Sequence, residues 1–323
     1  MTMESEPKWI TPELPEWMIQ SEQVARGEKK WEDFSFEERT CKGWLIPYLL
    51  ELETQMCGRW MWWTDAMVEG KLPDTQIPRI QFFPEGFGHY DALPKSKKAK
   101  ASEYDPVKML LACIDHYTCH SARLPDFFEW ILWGFGANEK RARIDEKVNE
   151  HWYRTFNLGL LLKYPHDYLG DMMAEAKSGG RTYWNNPHAF FPTPHNVVDC
   201  MVRMNFDGQK HEDGKDPRTL SVCDPCVGSG RFLMYSSNYS VNLYGMDIDS
   251  VCVMACKINA FMYVPWLVRP APWLNMMEPI QVGDSLQHFT LSFDDNQKTF
   301  SKIKDKKKPQ LTLWGSEDHG RNL

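Results

Sequence analysis

With 323 residues, 42% of them hydrophobic and 25% charged, the chain has a globular composition, enough length for a full core and room for two domains. A net charge of −7 excludes a protein that coats nucleic acid by bulk electrostatics and confines any DNA contact to local patches. Nine Cys, an odd number set mostly inside apolar runs, favour reduced thiols in a cytoplasmic protein over a disulfide framework, and the polar start at residues 1–7 lacks an apolar signal-peptide core.

Residues 1–100 form a first region with no assigned role. Its opening, residues 1–35, is acidic, punctuated by Pro and dotted with Trp9, Trp17 and Trp31, and reads as an arm packed by its aromatics. Residues 36–67 carry Trp44, Leu45, Leu49, Leu52, Met56, Trp60, Trp62 and Trp63 at approximate helical spacing, broken at Pro47. The 14 Trp are the clear compositional excess; core packing is the expectation, with base stacking the functional alternative. Residues 73–94, rich in Pro and Gly, read as a linker or exposed loop leading to Lys95, Lys97, Lys98 and Lys100.

Residues 101–180 read as a helical region. Asp105 and Pro106 give an N-cap and first-turn signature, and further helices are expected over 126–133, over 139–162 and from Pro165, stopping at Ser178, Gly179 and Gly180. Cys113, His116, Cys119 and His120 have ligand-like identities, but on one helix they fan over too wide an arc to close around zinc, so no metal is expected. The strand that holds Cys223 and the turn that holds Cys226 explain that C-x-x-C without redox or metal chemistry.

Residues 181–295 hold the informative stretch. Leu220, Ser221, Val222 and Cys223 read as a short buried strand, residues 224–230 (DPCVGSG) as a glycine turn, and Arg231 to Tyr235 as a helix start. This is a ligand cradle, because Gly228 and Gly230 let the backbone approach a bound molecule and the first helical turn offers free N–H groups. Residues 243–249 (LYGMDID) supply a second strand ending in acid, placed as a Rossmann-like fold places its ribose-binding acid. Upstream, Thr193 reads as an N-cap and Pro194 as the first residue of a helix with Val197, Val198, Met201 and Val202 on its buried stripe. The apolar run 251–268 contains Lys257, Asn259 and Pro265 and reads as a buried helix with its exit, not a membrane span.

In this order, FFPTPHNVVDCMV (190–202), DPCVGSGRFL (224–233), YGMDID (244–249) and VGDSL (282–286) resemble the segments of adenine-type DNA methyltransferases. The nearest likeness is to the small adenine-specific DNA methylase domain proteins of phages and mobile elements, which also carry a segment like YPHDYLGDMM (164–173). The resemblance covers about residues 126–286. It implies an α/β fold: a Rossmann-like methyltransferase core, here on an incomplete sheet, behind a helical Trp-rich N-terminal region. It also implies an S-adenosylmethionine site in which Phe191, Thr193, Asp224, Gly228 and Gly230 face the cofactor, the turn meeting its methionine portion. Asp247 would hold the ribose hydroxyls, Ile248 one adenine face, and Asp284 would accept a hydrogen bond from the cofactor's amino group. Acids suit hydroxyl and amino donors, and a sulfonium disfavours a basic phosphate loop.

The resemblance also defines an absence. Adenine methyltransferases hold the flipped base with a [DNS]-P-P-[YFW] loop, yet among the 21 Pro no two are adjacent. The nearest fragment, Asn186-Pro187-His188, lies just ahead of the Thr193-Pro194 segment. The 39 residues after Asp284 are too few to finish the usual sheet, so its edge needs covering by the N-terminal region, a second copy or a partner. Transfer to DNA adenine then either uses a partner's residues or does not occur, leaving a catalytically inactive relative that binds cofactor, DNA or another protein. The tail, residues 296–323, is basic at 302–308 and then carries Gln310, Leu311, Thr312, Leu313 and Trp314, which resembles the peptide that docks bacterial DNA-processing proteins on the sliding clamp. The same residues also have the composition of an edge strand.

Overall fold

A computed structural model describes residues 16–83, 100–116, 123–174, 190–206, 216–274, 278–285, 289–292 and 301–302. The described residues begin with four α-helices: α1 (Glu16–Ala25), α2 (Phe36–Arg39), α3 (Leu45–Met56) and α4 (Arg59–Glu69). Ser35 starts α2 through a capping box, its Oγ accepting from Glu38 N at 3.3 Å while Glu38 Oε2 accepts from Ser35 N at 2.6 Å. Pro47 does not break the helical run as expected. It sits in the first turn of α3, where its missing N–H costs nothing, and the break falls instead at Gly58 with φ of 70°. Glu53 then reaches forward from α3 to accept the backbone N–H groups of Arg59 and Trp60, capping α4.

Tryptophan here is core material. Trp31, Trp44, Trp130 and Trp152 are buried in one aromatic cluster, with Trp44 and Trp130 centroids 5.6 Å apart and Trp130 and Trp152 5.5 Å apart. A second cluster joins Trp62 and Trp63 of the N-terminal region to Trp266, the last two 5.8 Å apart. The linker or exposed loop expected over 73–94 is described only as far as residue 83, where it is irregular as expected but not wholly exposed: Ile77, Ile80 and Phe82 are buried, and Asn238 brackets Ile80 by accepting from its N–H at 2.8 Å and donating to its carbonyl at 2.9 Å. Side chains of Arg59, Arg218 and Asn238 satisfy several carbonyls of this irregular strap, those of Pro73, Thr75, Pro78 and Ile80.

The helical block follows as α5 (Pro106–His116), α6 (Arg123–Gly134), α7 (Glu146–Thr155), α8 (Leu158–Lys163) and α9 (Tyr168–Ala174). Asp105 caps α5 as expected, its Oδ1 accepting from Val107 N and Lys108 N. The single helix expected over 139–162 is two, α7 beginning at the Asp145 cap and the chain turning extended at Phe156 and Asn157. The helix expected from Pro165 starts three positions later, capped by Asp167, whose Oδ1 accepts from Gly170 N at 2.9 Å.

The remaining elements are α10 (His195–Phe206), β1 (Val222–Asp224), α11 (Arg231–Ser236), β2 (Leu243–Asp247), α12 (Ser250–Tyr263), α13 (Pro265–Val268), β3 (Ile280–Asp284), β4 (Phe289–Ser292) and β5 (Ser301–Lys302). Pro194 stands before α10, accepting from Val197 and Val198, so the helix begins at His195 and not at Pro194. The sheet order is β1-β2-β3-β4-β5: the first three strands run parallel, and β4 and β5 add antiparallel beyond β3. Among the described residues β1 pairs with β2 alone. No described helix is long and apolar enough to cross a membrane, and α12, the apolar run of the sequence, is buried between the sheet and α6.

Candidate functional site

The three parallel strands each end in Asp, at 224, 247 and 284, so three carboxylates share the carboxyl edge of the sheet. That edge is where open α/β sheets bind ligands. A cleft of about 720 Å³ lies there, and Phe191, Thr193, Asp224, Gly228, Asp247, Ile248 and Asp284 all line it. Gly230, the remaining expected residue, stands behind the lining. Its φ of 88° starts α11, and a Cβ there would lie 2.7 Å from Cys256 Sγ.

The glycine turn and the second acid are tied directly, because Gly228 N donates to Asp247 Oδ2 at 2.9 Å. Asp247 Oδ1 accepts from Asp249 N at 2.9 Å, which fixes the carboxylate while leaving lone pairs on both oxygens. Burial raises the Asp224 carboxyl above its ordinary range, and the charge of Asp247 adds to the rise against the hydrogen bond from Cys226 N. Arg231 is the one basic residue lining the cleft among those described, and its guanidinium is bound to Asp167 and Asp171. The cleft is therefore acidic, suited to a cation and to hydroxyl or amine donors, and unsuited to phosphate. At its rim Phe191 is 83% exposed and Ile248 43% exposed, apolar faces available to a flat ring.

Beneath the turn lies a buried polar network that the sequence reading did not place in the site. Asp167, wholly buried, accepts from Ser229 Oγ at 2.6 Å, Arg231 Nε at 2.9 Å and Asn259 Nδ2 at 2.8 Å. Arg231 also donates to Asp171 Oδ1 at 2.5 Å and to the Thr193 carbonyl at 2.9 Å. Burial alone would raise Asp171, but its hydrogen bond with His166 and the charges of His166 and Arg231 hold it at about 2. The legible signal was Asp167 and Asp171 at i and i+4 with His166, set in the apolar run of Tyr168, Leu169, Met172 and Met173. His166, Asp171 and His195 bring donor atoms within 4.8 Å of one another, yet both His166 nitrogens are already engaged, Nδ1 with the Phe83 carbonyl and Nε2 with Asp171 Oδ2, each at 2.7 Å, and Arg231 supplies the positive charge there.

His195, 4% exposed, meets Tyr235 Oη at 2.9 Å through Nδ1, and its Nε2 has no hydrogen-bond partner among the described residues. Burial first, then the charges of His166 and Arg231, push the ring down to about 3. The ring is thus neutral when folded, so its contribution is complete above the unfolded value near 6.5 and is lost as pH falls toward 3. Folding stability is expected to drop by roughly 2 kcal/mol between pH 7 and 5, and His195→Gln to remove most of that drop in urea titrations. An unchanged slope in the variant would refute the assignment.

Cys113 is buried in α5, and the other members of its group fall where no side chain is described. Cys223 and Cys226 are both exposed free thiols at the cleft, the first in mid-strand and not at its end. Asn186, Pro187, His188, Gln310, Leu311, Leu313 and Trp314 lie outside the described residues. No family model, curated protein or solved structure matches this chain.

Proposed function

We propose that the chain is an S-adenosylmethionine-binding protein of the adenine-type DNA methyltransferase kind, the cofactor-binding half of a Rossmann-like core. The observation that carries this reading is the alignment of Asp224, Asp247 and Asp284 at the ends of three adjacent parallel strands around a positive-φ glycine turn, facing an acidic cleft of about 720 Å³. A cofactor with a sulfonium and an ammonium group fits that charge. Asp247 would accept from the ribose hydroxyls, Ile248 and Phe191 would flank the adenine, and Asp284 would accept from its amino group. Thr193 and the turn would hold the methionine end. When bound, the cofactor supplies an electrophilic methyl group; the chain's own residues orient it and exclude water.

No two Pro are adjacent anywhere in the sequence, so the loop that holds a flipped adenine comes from a partner if methyl transfer to DNA takes place. The same absence favours a second reading, a relative that binds cofactor and a protein or DNA partner without catalysis. Calorimetry with S-adenosylmethionine, alongside tritium transfer to unmodified DNA, separates these. Binding is expected, and Asp247→Ala is expected to weaken it roughly 10- to 100-fold by removing charge-assisted hydrogen bonds. Binding without transfer supports the second reading, while affinity unchanged in Asp247→Ala sinks the site assignment.

A further inference from the structure

We infer that Asp167 and Asn259 are positioning residues for the methionine end of the cofactor, acting through Ser229, Arg231 and Thr193. The inference rests on the cofactor reading above and extends it to residues outside the cleft. An ionised carboxylate offers about four acceptor sites, and Asp167 fills them with Gly170 N and Asn259 Nδ2 on Oδ1, and Ser229 Oγ and Arg231 Nε on Oδ2. Asn259 closes the loop by donating also to the Ser229 carbonyl at 2.9 Å. Arg231 carries the restraint across the cleft to the Thr193 carbonyl at 2.9 Å. One wholly buried carboxylate therefore fixes both walls that meet the methionine end: the turn at Ser229 and the segment at Thr193.

The packing leaves this arrangement little slack. A Cβ on Gly170 would lie 2.1 Å from Asp167 Oδ2 and 2.5 Å from Ser229 Oγ, so α9 is pressed against the turn at a residue with no side chain. Because the network ends at Ser229 and Thr193, while Asp247 and Ile248 flank the ribose and adenine, the two ends of the ligand should respond differently to its loss. That difference distinguishes positioning from a general contribution to folding.

The experiment compares S-adenosylhomocysteine with 5′-methylthioadenosine, which lacks the amino-acid end, for the wild-type chain, Asp167→Asn, Ser229→Ala and Asp247→Ala. Ser229→Ala removes one hydroxyl and is expected to leave the ligand-free Tm within about 2 °C of wild type. Its affinity for S-adenosylhomocysteine is expected to fall about tenfold, and that of Asp167→Asn about 100-fold, with methylthioadenosine affinity held within about twofold in both. Equal weakening of both ligands, or no weakening of either, overturns the inference. Failure of the wild-type chain to bind either ligand overturns the cofactor reading itself. If Asp247→Ala weakens both ligands while Ser229→Ala weakens neither, the cofactor reading stands and the positioning role falls.

Discussion

Arg59→Ala is expected to destabilise the chain by about 3–5 kcal/mol and to lower Tm by roughly 4–7 °C. Arg59 is wholly buried at the start of α4, and burial, opposed by the nearby Cys57 and Glu53, pushes its guanidinium down to about 9. It donates to the Pro78 carbonyl at 2.6 Å, to Ser237 Oγ and the Tyr263 carbonyl each at 2.7 Å, and to Asn238 Oδ1 at 2.6 Å, and it stacks over Trp266. One side chain thus ties the N-terminal helices to the strap, the end of α11 and the end of α12. Truncation leaves the buried Tyr263 carbonyl and Ser237 Oγ without this donor and opens a cavity beside Trp266, and the first effect dominates because each orphaned polar group costs about 1–3 kcal/mol. Arg59→Lys keeps a charge but cannot reach acceptors lying in several directions, so it should recover less than half of the loss. Urea titration of the three proteins measures this, and a loss under about 1 kcal/mol for Arg59→Ala would show that water replaces the guanidinium.

Gly228→Val is expected to weaken the S-adenosylmethionine binding proposed above by about 100-fold or more, in a chain that still folds. Gly228 has φ of 53°, a conformation that costs a β-branched residue about 1–2 kcal/mol or more, and its Cβ would lie 2.7 Å from Phe190 Cε2. Relief of that contact moves either the Phe190 ring, which lines the cleft, or the turn, whose N–H holds Asp247. Both movements displace the groups proposed to hold ribose and methionine, whereas the strands and α12 keep their packing. Calorimetry against S-adenosylmethionine, with circular dichroism as the folding control, reads the outcome. Wild-type affinity in the variant would mean that the turn does not face the ligand.

How far each part was legible follows from the range of the interactions that made it. Asp105 before Pro106 and the glycine turn leading into a helix at Arg231 are local signals and fold as read, whereas the buried strand expected over 220–223 runs instead over Val222–Asp224 with Cys223 exposed. Seven of the eight expected cofactor residues line one cleft because β–α–β units bring the ends of successive parallel strands together. The misreadings are equally physical. Pro47 falls in the first turn of α3, where a proline ends no helix, and the strap at 72–83 buries Ile77, Ile80 and Phe82 through contacts with residues more than 150 positions away, such as Asn238 with Ile80.

The sequence alone determined the glycine turn and the acids at the strand ends, because positive φ at glycine and the end of a strand are local requirements of the backbone. Only the tertiary structure decided what holds the cradle still. Asp167, Asn259 and Arg231 are separated by 28 to 92 positions in the chain, and a carboxylate, an amide and a guanidinium become one network only when packing removes the water that would otherwise solvate each of them.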